Sequence, residues 1–233
     1  MAKFVSAVGI GLMALLAIGR NAAAQEGPES EGFDDGLRLY AVHVNRTPVQ
    51  PWPGYGMYLG NGLVITAAHV PGNFADTRPH VIIDGRDYPA GLVRQGSLEG
   101  VDLTLLSIDV AALPVRMRMR RLPLCAASPY PGERVVVITP ESAAQSRVLP
   151  PAAVPTDLRA RFDTVIGDVA TTGNSGSGVL DVYNSCLLGV ISRKITIERV
   201  GAGLGARRQS QDIAKYFVPV TSIRAFIPPQ ASF

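Results

Sequence analysis

Only two cysteines and three histidines occur in 233 residues. Cys125 and Cys186 are too few to build a zinc module, and neither lies in a C-x-x-C pair, so a thiol-redox motif is excluded as well. His43, His69 and His80 all fall in the first half of the chain. Chemistry that needs a histidine late in the sequence is therefore excluded. Aromatics make up 6% and charged residues 18%, against 47% hydrophobic. That balance rules out a disordered polyelectrolyte and leaves enough apolar side chains for a substantial core. No segment repeats at 20 to 50 residues, which excludes a solenoid. No long stretch of the body keeps a 3.6-residue period, apart from a short candidate helix after Thr221.

The one long apolar run is at the start. Lys3 precedes residues 4–18, which are apolar or small, and Arg20 closes the run. Ala22, Ala23 and Ala24 then offer a small-x-small cleavage site before Gln25. The run is shorter than the roughly 20 apolar residues of a membrane span. Residues 1–24 are thus expected to be a signal peptide and the mature chain to be secreted or periplasmic, with no stable membrane anchor after cleavage. The full chain carries 22 Lys and Arg against 19 Asp and Glu. Losing Lys3 and Arg20 with the leader reduces +3 to +1, which gives no basis for a nucleic-acid partner.

Residues 25–36 are acidic and rich in Gly, Pro and Ser, and read as a flexible leader. Short runs rich in Val, Ile and Leu follow at 39–44, 57–59, 63–67, 80–83, 103–108, 134–138, 165–169, 178–182, 187–192 and 216–220. Gly, Pro, Asn and Asp punctuate them. Many short strands between turn signals predict an all-β barrel or sandwich. Residues 111–124 interrupt the pattern with two prolines and the arginines Arg116, Arg118, Arg120 and Arg121, and read as the crossing between two lobes, a solvated connector or a docking patch for an anionic partner. Residues 140–161, rich in Pro, Ala and Ser, read as a long surface loop.

The segment Gly173-Asn174-Ser175-Gly176-Ser177-Gly178 suits a nucleophilic serine. Glycine permits backbone angles that expose amide N–H groups, and it leaves room for a substrate carbonyl. A serine needs a base, usually histidine. Because no histidine follows Ser175, the Ser…Asp…His order of α/β-hydrolases is excluded, and Ser177 breaks the G-x-S-x-G elbow. His69 ends an apolar strand at Thr66-Ala67-Ala68-His69, where small neighbours would hold an imidazole with little bulk around it. His43 and His80 read as exposed or structural. Asp102 opens the run Val101-Asp102-Leu103-Thr104-Leu105-Leu106, where a carboxylate is costly to bury without a partner. A histidine Nδ1–H would be that partner.

These three segments, in the order His…Asp…Ser, resemble the catalytic motifs of the trypsin/chymotrypsin family. The resemblance extends from about Tyr40 to a last strand at 216–220 and a terminal helix at about 221–228. It implies two six-stranded antiparallel β-barrels, in lobes of about 37–112 and 125–220, within one peptidase domain at 37–233. It implies His69, Asp102 and Ser175 as catalytic residues. It implies Gly173 and Ser175 amides as the oxyanion hole, and Ser192 as support for Asp102. The expected reaction is hydrolysis of a peptide bond by a serine endopeptidase through an acyl-enzyme. It needs no metal and no cofactor, and its partner is a protein or peptide substrate. A monomer is expected.

Departures from the family pattern shape the rest. Asn174 replaces the usual aspartate before the nucleophile and cannot form the ion pair that follows zymogen cleavage. Bacterial trypsin-like peptidases of the high-temperature-requirement type are the nearer likeness. The resemblance places Val169 near the base of the substrate pocket, where a trypsin-type enzyme needs a carboxylate; Asp168 beside it should point the other way. Arg193 and Lys194 fall along the cleft, where Lys194 would narrow the pocket or favour an acidic side chain. Cys125 and Cys186 would bridge within the second lobe if oxidised, or remain two buried thiols. Two other functions stand beside the peptidase: a binding protein on the same fold, and an esterase-type acyl hydrolase using the same triad.

Overall fold

The computed structural model describes residues 36–167, 174–200, 208–231 and 233, with side chains undescribed at 199, 200 and 208. The expected signal peptide and nearly all of the leader lie outside these residues, as do Asp168, Val169 and Gly173.

Among these residues thirteen strands form two curled antiparallel sheets. The first sheet holds β1 (Ala41–Asn45), β2 (Gly54–Gly60), β3 (Leu63–Thr66), β4 (His80–Ile83), β5 (Arg86–Pro89), β6 (Gly91–Gln95) and β7 (Thr104–Ser107), in the order β5-β4-β1-β2-β3-β7-β6. The second holds β8 (Arg134–Ile138), β9 (Ala143–Arg147), β10 (Val165–Ile166), β11 (Gly178–Asp181), β12 (Cys186–Val200) and β13 (Arg208–Pro219), in the order β10-β13-β12-β11-β8-β9. The expected double barrel is present, with seven strands in one sheet and six in the other. A helix, Val220–Phe226, follows the last strand.

The apolar runs explain the architecture. Alternate residues of a strand face opposite sides of the sheet. Tyr58 and Val64 pack inside the first sheet with Val42, Val44 and Leu106. Their neighbours Met57, Leu59, Leu63 and Ile65 pack outward against Val136, Ile138, Leu180 and Val190 of the second sheet. The central strands bury both faces, so β3 is wholly buried and reads as a continuous apolar run rather than an alternating one. A third cluster fills the second sheet around Val135, Val137, Val179, Leu188 and Phe217. The site described below lies where the two sheets meet.

The strands absent from the sequence pattern are those with few buried side chains. β5 and β6 carry mostly exposed residues, and β9 lies inside the stretch expected to be a loop. That stretch also holds a 3-10 turn, Pro151–Ala153, and a helical turn, Thr156–Arg159. β5 had a usable signal: Asp84 and Gly85 both take positive φ, at 51° and 74°, as an Asp-Gly hairpin turn requires. β12 runs on past Ser192, and with β13 it forms a long ribbon that pairs from Gly189 with Pro219 to Val200 with Arg208. The connector contains the helical turn Val115–Arg118. Two of its arginines are tied to the first sheet: Arg116 pairs with Asp84, and Arg121 donates to Asn61 and to the carbonyl of Arg118.

Cys125 and Cys186 are bridged, 61 residues apart. The bridge anchors the end of the connector to the start of β12, where Cys125 N–H donates to the Leu187 carbonyl at 3.0 Å and Leu187 N–H to the Pro123 carbonyl at 2.8 Å.

Candidate active site

β3 ends at Thr66, and the chain turns so that His69 leaves the sheet among the buried small residues Ala67 and Ala68. Asp102 stands just before β7, the strand that pairs with β3 from Leu63–Ser107 to Thr66–Thr104. That register brings the two together. Asp102 is 2% exposed. Its Oδ1 and Oδ2 lie 3.1 and 3.0 Å from His69 Nδ1, and the His69 backbone N–H donates to Oδ1 at 3.3 Å. From the other sheet, Ser192 Oγ donates to Oδ2 at 2.5 Å. Burial pushes the Asp102 carboxyl up, but the hydrogen bonds from His69 and Ser192 and the adjacent imidazole outweigh it and hold the group below its usual range. A buried carboxylate bonded to Nδ1 fixes which ring nitrogen carries the proton, leaving Nε2 for a reacting group.

Ser175 sits in a tight turn before β11. Asn174 N–H donates to Ser177 Oγ at 3.1 Å, and Ser177 N–H donates back to the Asn174 carbonyl at 3.0 Å. Ser177, the residue that breaks the glycine elbow, thus closes the turn. Both sheets hold it. Tyr55 N–H of β2 donates to the Ser175 carbonyl at 3.1 Å, and Gly176 N–H donates to the Ile191 carbonyl of β12 at 2.8 Å. Gly176 has φ +90°, and a Cβ there would stand 1.8 Å from the Tyr55 carbonyl oxygen, so only glycine fits. Among the described residues no acceptor takes the Ser175 amide. The Ser175 hydroxyl donates to the Ser192 carbonyl at 2.9 Å.

His69 and Ser175 line one cavity of about 370 Å³. Asn174, Arg193, Lys194 and Lys215 also line it. Arg193 does more than sit on a rim. Its Nη2 donates to the Leu98 carbonyl at 2.6 Å, its Nε donates to Ser192 Oγ at 3.2 Å, and its guanidinium stands 3.8 Å from Asp102 Oδ2. It therefore places a cation beside the buried carboxylate, a contact that the strand pattern gave no way to foresee. Lys215 was not singled out from sequence, because it lies in a polar strand with no motif around it. The other histidines are elsewhere: His43 pairs with Glu141, and His80 Nδ1 lies 2.7 Å from Asp87 Oδ1 across β4 and β5.

The family model of the trypsin-like peptidase domain matches residues 54–190, from β2 into β12. The chain belongs to this family. The match covers the segments that hold His69, Asp102 and Ser175 and stops just short of Ser192. None of the curated proteins compared with this trypsin-like chain matches it. Solved structures do. The inactive form of the Rv3671c protease of M. tuberculosis aligns with a TM-score of 0.57 at 17% identity, over 84% of this chain and 91% of that one. Its active form gives 0.55 at 15% identity, over 84% and 83%. A serine endoprotease from Yersinia pestis gives 0.58 at 19% identity, over 86% of this chain and 66% of that one. At these identities the likeness concerns the fold of the trypsin-like domain. No helix among the described residues is long and apolar enough to cross a membrane.

Proposed function

We propose that the chain is a secreted or periplasmic serine endopeptidase in which Ser175 is the nucleophile, His69 the general base and Asp102 the carboxylate that orients it. In this reading residues 37–233 form the peptidase domain behind a signal peptide at 1–24. The observation that carries it is the buried Asp102, bonded to His69 Nδ1 at 3.0 Å, on an imidazole that shares its cavity with Ser175.

The chemistry follows from these groups. The Ser175 hydroxyl turns from the Ser192 carbonyl toward His69 Nε2 by rotation about its Cα–Cβ bond. Alignments of this kind often tighten only with substrate bound. As Oγ attacks the peptide carbonyl carbon, its proton passes to Nε2. Asp102 stabilises the resulting imidazolium. The negative oxygen of the tetrahedral intermediate is held by the Ser175 amide, with the Gly173 amide assigned to the same hole. Collapse breaks the C–N bond, and His69 gives its proton to the departing amine. Water then repeats the sequence on the acyl-enzyme. Asn174 cannot make the ion pair that activates zymogens, which supports activity without release of a new N-terminus.

The test is labelling of the purified mature protein and of Ser175→Ala with a fluorophosphonate, followed by digestion of casein. Labelling and cleavage, both lost in the variant, are expected. A folded wild-type protein that takes no label overturns the reading. Labelling without cleavage of any protein or peptide turns it toward an esterase.

A further inference from the structure

Three cations line the cavity that contains Ser175: Arg193, Lys194 and Lys215. Among the described residues that line it, none is acidic. Two of the three lysine and arginine side chains are arranged against the sheet's own interest. Lys194 on β12 and Lys215 on β13 are direct cross-strand partners. Side chains in that relation stand on the same face a few ångströms apart, and like charges so placed destabilise a sheet. Lys215 is also 3% exposed, and lysine is seldom so buried. Burial brings its ammonium down to about 8, and the charge of Lys194 acts in the same direction while Asp212 opposes it.

The neighbourhood tempers this without removing it. Lys194 Nζ donates to Asp212 Oδ2 at 2.7 Å, and Thr196 Oγ1 donates to Asp212 Oδ1 at 2.7 Å. Asp212 is an exposed residue and is not part of the cavity lining. Asp102 is already engaged by His69 and Ser192. Arg193 is tied to the Leu98 carbonyl and the Ser192 hydroxyl. It stands over the Phe162 ring at 5.6 Å, which fixes its guanidinium at the cavity.

We infer that this cavity receives a carboxylate-bearing substrate side chain, glutamate or aspartate, at the residue on the acyl side of the bond that Ser175 attacks. The inference rests on the peptidase reading above and names its substrate class. An arriving carboxylate meets the clustered positive charge of Lys194 and Lys215 within reach of the nucleophile. Arg193 adds its charge from the same lining, so among the described residues the charged side chains that meet the carboxylate are all positive. A lysine or arginine side chain would add a fourth cation to the same space, and an alanine would bring no charge to meet the three.

The experiment compares kcat/KM for three peptides that differ only at that residue, carrying Glu, Ala or Lys. The proteins are wild type, Lys215→Met and Lys194→Gln, with fluorophosphonate labelling measured in parallel. Wild type is expected to cleave in the order Glu, Ala, Lys. Each variant is expected to lower the Glu-to-Ala ratio, by about 10- to 100-fold for Lys215→Met, the scale of a hydrogen bond to a charged group. Lys194 is largely exposed, so Lys194→Gln keeps the test alive should the buried substitution fail to fold. Equal cleavage after Glu and Ala by a wild-type protein that labels normally overturns the substrate class and leaves the peptidase reading standing. An unchanged ratio in both folded variants overturns it too. A wild type that neither labels nor cleaves overturns the peptidase reading and the inference with it.

Discussion

Ser192 touches both ends of the proposed triad. Its carbonyl accepts from the Ser175 hydroxyl at 2.9 Å, and its own hydroxyl donates to Asp102 at 2.5 Å. Ser192→Ala keeps the carbonyl and removes the hydroxyl. The buried carboxylate then loses one of its donors, which should cost about 1.5 to 3 kcal/mol of stability. The pH dependence follows from the sign of the shift. Asp102 is held below its ordinary value in the folded state, so its contribution is present above the unfolded-state pKa and is lost as pH falls through the folded one. Ser192→Ala weakens the depression, so acid unfolding should begin at a higher pH. Urea melts at pH 7 and at successive acid values check this.

Asp102→Asn is expected to leave the fold intact and to lower kcat by about 10⁴-fold, because an amide donating to Nδ1 would force the wrong tautomer on His69. Peptide hydrolysis at neutral pH measures it. A variant within tenfold of wild type would remove Asp102 from the mechanism.

Gly176→Ala should silence the site. Its methyl would meet the Tyr55 carbonyl at 1.8 Å in a backbone conformation that alanine avoids. The turn must open, at a cost of a few kcal/mol and with loss of the Ser175 geometry. Fluorophosphonate labelling is expected to fall to background while far-ultraviolet circular dichroism keeps the β-rich spectrum of the wild type.

Replacing both Cys125 and Cys186 by alanine is expected to cost about 4 kcal/mol, the chain-entropy value for a loop of this size. Denaturant melts of the oxidised wild type and the double variant give the difference. The apparent stability of the wild type should fall toward that of the variant when a reductant is added.

Lys215 makes the substrate preference pH-dependent. Burial brings its ammonium down to about 8, with Lys194 on the facing strand acting in the same direction and Asp212 on its own strand opposing it, so the charge is present below that value and lost above it. The Glu-to-Ala ratio of kcat/KM should therefore decline as pH rises through 8. In Lys215→Met the decline should be absent.

Much of this was legible from the chain alone, and the reason is burial. β3 and β7 bury both faces, so their Val, Ile and Leu runs announce them, and the residues at their ends, His69 and Asp102, stand out against that background. Ser175 was legible through its glycines, which a close backbone approach demands. What was illegible shares the opposite property. β5, β6 and β9 are edge strands whose side chains are mostly exposed or half-buried, so no run of buried Val, Ile and Leu marks them. The ribbon of β12 and β13 beyond Ser192 carries a mixed pattern, in which Ile195 and Ala214 reach a small buried cluster with Phe162 and Val165 while most of their neighbours are polar. Arg193 and Lys215 owe their places to a bulge between Ile191 and Arg193 and to cross-strand register, and neither is written in local sequence.

The turn that presents Ser175 hangs from Tyr55 on one sheet and from Ile191 on the other. The serine is in effect a gauge of how the two halves are docked. A slip of an ångström between them, from mild denaturant or from damage to the shared layer of Met57, Leu59 and Val190, unhooks one suspension point while each half keeps its own ladder of bonds. Reactivity should then vanish ahead of any spectroscopic sign of melting, which ties the protein's working life to the cohesion of its midline rather than to the robustness of either barrel.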